Sequence, residues 1–257
     1  MTEPALITSR HNPLLVRLRR LLRDGGAYRR DGLVWLEGEH LCGAALARGV
    51  TLLHAVLPLS SWDRPARRGL ALQARQVSLV SDSLFSDLSQ LESAADLGCL
   101  VAVPQPSAPD PRADAVVLDR VQDAGNVGSI LRSAAALGVA QVLVLRGTAA
   151  LWSPKVLRAA MGAHFGLRLV EGVDEGQLLG LDWPLVATTS HDGVPLPAAS
   201  LPRPLAWLFG HEGQGISGSL LQASVARVAI PQPGGEESLN VAAAAAICLY
   251  EALRRRQ

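Results

Sequence analysis

The stretch IPQPGGEESLNVAAAAAICLYEALRRR, residues 230–256, decides how this chain is read. An apolar strand is expected to end at Ile230, and a loop rich in Gly, Pro and Glu follows. Ser238, Leu239 and Asn240 then open a long Ala-rich helix, since Ser and Asn side chains accept the unpaired first-turn amides. Those amides and the helix dipole suit an electron-rich ligand group. Arg254, Arg255 and Arg256 stand at the other end, where cations complement the dipole. The run from Ala242 to Ala246 has so little side-chain bulk that another backbone can approach it closely. Taken alone, this is a capped helix buried in a core. Gly234, Gly235, Glu236 and Glu237 shape the loop, and the glutamate pair has no physical account.

Working upstream, strands and helices alternate. AVVLDRV (115–121) reads as a buried strand, Asp123 to Gly128 as a turn, and a helix is expected from about Val127 to Leu137, ended by Gly138. QVLVLRG (141–147) is the next strand, which makes a β-α-β unit with a polar turn at the strand's carboxyl end, where open α/β sheets bind ligands. SPKVLRAAMGAHFGLRLVEG adds a helix and a strand, PLVATTSHDGVPL a strand ending at Thr188-Thr189, and LAWLF (205–209) the last central strand. The alternation predicts an α/β fold with a mainly parallel sheet and helices on both faces.

PQPSAPDPRAD (104–114) is the clearest boundary, because clustered Pro cannot continue a helix or sheet. It separates residues 1–103 from 114–257, with 104–113 as the linker. In the first part, Leu14, Leu15, Leu18, Leu21 and Leu22 recur at helical spacing between Pro13 and Gly25-Gly26. The other face carries Arg17, Arg19, Arg20 and Arg23; Arg10 precedes them, and Arg29 and Arg30 follow. Such a row fits a solvated face and a phosphate-binding patch equally well. A short strand and a helix from about Glu39 to Arg48 come next, then the strand LLHAVLPL, then further alternation to GCLVAVP. This is a compact α/β unit of its own.

Composition sets the bounds. At 257 residues with 49% hydrophobic residues the chain has ample core for one large domain or two smaller ones. No apolar run is long enough to span a bilayer, and MTEPALITSRHNP lacks a signal-peptide pattern. Cys42, Cys99 and Cys248 are scattered and odd in number, which argues against a disulfide framework or a zinc site and fits a reducing cytoplasm. A net charge of +1 excludes a globally basic nucleic-acid binder. Lys155 is the only lysine.

Three groups of residues are candidates for chemistry. Asn126 reads as a cap or turn residue. Arg132 sits in ILRSAAALG, a mostly apolar or small helix, where an arginine needs a phosphate or carboxylate partner. GHEGQG (210–215) follows a strand and would open a helix at Ile216 or Ser217. Its glycines let a backbone approach a ligand, but their order is not that of a dinucleotide loop. Glu212 is the ionised side chain of that loop.

In this order and spacing, LDRVQDAGNVGSILRSAAALGV (118–139), LAWLFGHEGQGIS (205–217) and the C-terminal stretch resemble the three motifs of the SpoU branch of the SPOUT superfamily, RNA ribose 2'-O-methyltransferases that use S-adenosylmethionine. The resemblance implies a C-terminal trefoil knot, an exception to the rule against threaded chains. It places Asn126, Arg132, Glu212, Ser238 and Asn240 in the active site. The donor would be held by the loops at Thr188-Thr189, Phe209-Gly210, Ile230 to Gln232 and Ser238-Leu239-Asn240. No metal is implied. The family usually has Asn where His211 stands. The opening, with SRHNP, the arginine helix and WLEGEHL, resembles more loosely the L30e-like substrate-binding domain of many SpoU enzymes. The resemblance also implies a homodimer through the knot helices and ribosomal RNA as first target, with transfer RNA second. A non-catalytic RNA-binding or ribosome-assembly protein on the same fold is the rival from another class. A nucleotide-dependent oxidoreductase is disfavoured by the glycine order.

Overall fold

The computed structural model of the chain describes residues 4–89, 95–105, 107–190, 192–234 and 238–256. Gly235, Glu236 and Glu237 of the expected loop lie outside these residues. The chain divides into two units, Met1–Pro104 with Trp152–Phe165, and Gln105–Leu151 with Gly166–Gln257. The segment Trp152–Phe165, read from sequence as part of the second domain, thus groups with the first.

The first unit runs β1 (Ala5–Ile7), α1 (Pro13–Arg23), α2 (Ala27–Asp31), β2 (Leu33–Glu37), α3 (Glu39–Ala47), β3 (Leu52–Pro58), α4 (Leu59–Trp62), α5 (Pro65–Ala71), β4 (Gln76–Val80), α6 (Asp82–Ser86) and β5 (Gly98–Ala102). The sheet order is β1-β4-β3-β5-β2, parallel from β1 to β3 and antiparallel through β5 to β2. Asn12 caps α1, its Oδ1 accepting the Leu14 amide at 2.9 Å, and Pro13 takes the first helical position. Leu15, Leu18, Leu21 and Leu22 are buried, each contributing about 1.5–3 kcal/mol. Leu14 is only half-buried, at the edge of the stripe.

The second unit runs β6 (Ala115–Asp119), α7 (Ala124–Ala136) and β7 (Gln141–Leu145). After α8 (Pro154–Ala160), which belongs to the first unit, come β8 (Arg168–Val173), α9 (Glu175–Leu179), β9 (Leu185–Thr189), β10 (Val194–Pro195), β11 (Ala206–Gly210), α10 (Gly218–Ala223), β12 (Ala226–Ala229) and α11 (Val241–Arg254). Its sheet, β10-β12-β9-β11-β6-β7-β8, is parallel throughout. Val117, Leu143 and Leu208 pack in one cluster with Leu178 of α9 and Leu220 of α10. The intervening Val116, Val142, Trp207 and Phe209 are buried as well, and α7 and α11 contact the sheet and each other. Cover on both faces explains why these strands read as continuous apolar runs.

Element boundaries differ from the expected ones where a different residue caps the helix. Helix α7 starts three residues before Val127, because Asp123 is its N-cap and accepts the Asn126 amide at 2.7 Å. Asn126 is therefore inside the helix. The helix after GHEGQG begins at Gly218, and β12 stops at Ala229, one residue before Ile230. In the expected linker, the Asp110 amide donates to Gln141 Oε1 at 3.0 Å and its carbonyl accepts from Gln141 Nε2 at 2.6 Å, so that segment is tied to β7.

Candidate active site

The carboxyl ends of the neighbouring strands β12, β9 and β11, together with the start of α11, enclose a cleft of about 790 Å³. Strand ends in an open parallel sheet are where such clefts form. Every residue expected at the donor lines it: Thr188, Thr189, Phe209, Gly210, Ile230, Gln232, Ser238, Leu239 and Asn240. Ala244 lines it too. Gln232 Oε1 is buried with no hydrogen-bond partner among the described residues. Thr188 Oγ1, by contrast, donates back to the Leu208 carbonyl at 2.8 Å. One expectation changes: Asn240 Oδ1 accepts the Ala242 and Ala243 amides at 2.9 and 3.3 Å, so those two amides are occupied by the cap.

A chain of polar contacts runs along the edge of the cleft. Glu212 accepts from Asn126 Nδ2 at 3.1 Å, from the Gln122 amide at 3.3 Å and from the Asp123 amide at 3.2 Å. Asn126 Oδ1 in turn accepts Asn240 Nδ2 at 2.8 Å. Partial burial pushes the Glu212 carboxyl up, but the Asn126 amide and the backbone N–H groups outweigh it and hold it below the usual carboxylate value. Glu212 is thus ionised at neutral pH. The loop carrying it is closed by paired backbone bonds between His211 and Gly215. His211 Nδ1 accepts the Gly213 and Gln214 amides at 2.9 and 3.2 Å, an acceptor role that an Asn oxygen can also fill. A side chain at Gly210 would collide with the backbone of Gly215 and Ile216.

Comparison with known proteins fits this geometry. The model of the SpoU rRNA methylase family matches residues 114–250. The chain belongs to the SpoU rRNA methylase family. An uncharacterized tRNA/rRNA methyltransferase of Synechocystis is 34% identical over 99% of this chain and 96% of its own length. The 23S rRNA (guanosine(2553)-2'-O)-methyltransferase RlmP of Bacillus subtilis is 30% identical over 84% of this chain and 86% of its own. Among solved structures, an RNA 2'-O ribose methyltransferase superposes with a TM-score of 0.81 at 34% identity, covering 98% of this chain and 99% of that one. The SpoU methyltransferase AviRb of Streptomyces viridochromogenes, in complex with AdoMet, gives 0.86 at 26% identity over 96% and 98%.

Other residues of this SpoU chain are placed less centrally. Arg132 is exposed on α7 and does not line the cleft, and its side chain makes no hydrogen bond or ion pair to another described residue. The partner expected for it is not in its own surroundings. The N-terminal arginines other than Arg19 are exposed, and Arg10, Arg17 and Arg23 have no ion pair among the described residues. Arg19 donates to the Arg10 carbonyl at 2.6 Å, and Arg29 lies over the Tyr28 ring at 4.9 Å. Arg20 and Arg30 are ion-paired with Asp31 and Asp24, which blunts them as phosphate ligands. Residues not foreseen from sequence are Asp192 and Arg227, which line the cleft, and Asp119 with Arg120 beside the Glu212 loop. A carboxylate at the end of the apolar run AVVLD was the available signal for the last pair. Among the described residues no His, Cys, Asp and Glu cluster of three or more is placed to hold a metal ion.

Proposed function

We propose that ribosomal RNA is the substrate of this enzyme. The chain is an S-adenosylmethionine-dependent RNA methyltransferase, and the methyl group goes to a ribose 2'-hydroxyl. The observation that carries the reading is the convergence of every expected donor residue on one cleft, edged by Glu212, Asn126 and Asn240. The cleft fits the donor: its volume is that of a small-molecule site, and Gln232 offers a buried, unpaired oxygen. When bound, S-adenosylmethionine supplies a sulfonium methyl group. The support for ribosomal RNA is that RlmP of Bacillus subtilis is named for that substrate.

Within this reading, Asn240 and Ser238 fix the start of α11 beside the donor, and Glu212 and Asn126 orient the ribose or the catalytic arginine. Arg132 is that arginine. The 2'-hydroxyl loses its proton as it attacks: Arg132 either takes that proton or, because a guanidinium rarely deprotonates, acts by charge on the developing alkoxide and the neighbouring phosphate while the proton passes to solvent water. Because Arg132 does not line its own cleft, a homodimer that brings the partner's cleft to it completes the site. Ile247 and Tyr250 of α11, 41% and 59% exposed, offer apolar surface for that contact. The first unit, with Arg10, Arg17 and Arg23 exposed, is the L30e-like domain that holds RNA. Buried free Cys42, Cys99 and Cys248 suit the reducing cytoplasm. No helix among the described residues is long and apolar enough to cross a membrane.

The test is calorimetric titration with S-adenosylmethionine and with NAD, followed by methylation of rRNA and tRNA transcripts in excess EDTA. Donor binding, with transfer to rRNA, is expected. Binding without transfer to either RNA would favour the non-catalytic reading, and transfer to tRNA alone would replace the substrate.

A further inference from the structure

Asp119, the last residue of β6, is 1% exposed. Its carboxylate accepts Arg120 Nε at 2.8 Å and Nη2 at 3.1 Å, and the Ser217 amide at 2.7 Å. To fork onto its own neighbour, Arg120 adopts φ 59°, the left-handed region. For a residue with a long side chain such strain persists only where the surroundings over-determine it. Here they do. A Cβ on Gly147 would lie 3.1 Å from Arg120 Cγ, so glycine makes room for the arginine stem. The outer guanidinium nitrogens then reach the neighbouring loop: Nη1 donates to Gln214 Oε1 at 3.0 Å, and Nη2 to the Gly215 carbonyl at 3.4 Å. Asp119 already pairs with Gly210 in register, so the two ends of the loop that bears Glu212 are tied to β6.

We propose that Arg120 is a positioning residue: its strained, carboxylate-locked fork clamps the 211–215 loop so that Glu212 meets Asn126. This rests on the reading of Glu212 as part of the methyl-transfer site. It adds a residue that touches neither the cleft nor, in this arrangement, the reacting atoms.

Arg120→Gly is the informative variant, because glycine accepts this φ without strain while the fork is lost. The Gly213, Gln214 and Gly215 amides are expected to exchange about tenfold faster in heavy water. The single-turnover rate should fall about ten- to a hundredfold through misplacement. Donor affinity should change less than about threefold, a loss in turnover rather than in binding. In a Glu212→Ala background the same change should cost less than about twofold, since nothing is left to position. Equal losses in the two backgrounds, unchanged turnover, or a loss wholly in donor affinity overturn the proposal. Should an unpaired buried Asp119 unfold the variant, Asp119→Asn with Arg120→Gly removes the charge and keeps an acceptor for the Ser217 amide, and the same outcomes decide. The exchange measurement needs no RNA. Unchanged exchange counts against the clamp alone, and absence of transfer in the wild-type protein counts against the methyltransferase reading alone.

Discussion

Glu212 gathers donors from residues 86 to 90 positions away in the chain, whereas Arg20 and Arg30 meet Asp31 and Asp24 within 11 and 6 positions. The first set exists only because β6 and β11 are neighbours in a parallel sheet. The second would form in almost any fold that kept the local chain path. Polar groups drawn together from afar are costly to assemble and point to chemistry, while local ion pairs on a surface contribute little. In the proposed reading the two units divide the work: one builds a site, the other presents charge.

The sharpest way to break that division is Arg132→Ala, which should lower single-turnover methylation about a hundred- to a thousandfold and leave donor affinity unchanged. Arg132→Lys keeps the charge without the planar fork and should recover little. Near-wild-type turnover would take Arg132 out of the mechanism, and lost donor binding would make it a support of the fold.

Asn126→Ala comes next. It removes the bridge between Glu212 and Asn240, hydrogen bonds to a charged group worth about 1.5–3 kcal/mol, so turnover should fall about ten- to a hundredfold. The same bonds set a pH dependence. The Glu212 carboxyl is held below its ordinary value, so whatever its ionised form contributes is fully present above the ordinary carboxylate range. That contribution is lost only as pH falls through the depressed value. Turnover profiles of wild type and Asn126→Ala should show the acid limb of the variant displaced to higher pH; superimposed limbs would disconnect Glu212 from the rate.

In the N-terminal unit, Arg10, Arg17 and Arg23 changed together to Gln should weaken RNA binding. Its salt dependence should flatten by up to about 0.7 for each single-strand phosphate that is no longer neutralised. Donor affinity, read in parallel, should stay put. Changing the ion-paired Arg20 and Arg30 instead should do less, because each already spends its charge on a carboxylate. Equal effects from the two sets would mean that RNA displaces the local partners. The smallest effect expected is on stability: Arg30→Gln alone should cost no more than about 1 kcal/mol in denaturant unfolding, because both partners of its pair with Asp24 are exposed.

Much of the fold was legible in the residues. Continuous apolar runs such as AVVLD, QVLVL and AWLF name strands buried on both sides, Asn240 marks a helix start by its cap chemistry, and Pro13 marks another by its fixed backbone. The start of α7 was less legible, because Asp123 and Asn126 are both acceptable caps and only the bond to the Asn126 amide chooses between them. The grouping of Trp152–Phe165 with the first unit was not legible at all, since no composition break accompanies it.

Local patterns thus determined, from sequence alone, the main strands and helices around the site, and which loops resemble the motifs of a methyltransferase. Those properties depend on neighbours a few positions apart. Tertiary structure decided that Glu212, Asn126 and Asn240 form one chain, that Arg132 stands outside its own cleft, and that Arg120 bends into a left-handed conformation to reach Gln214 and Gly215. Each of these depends on strand order and register, and on a strain that only packing from distant segments can sustain.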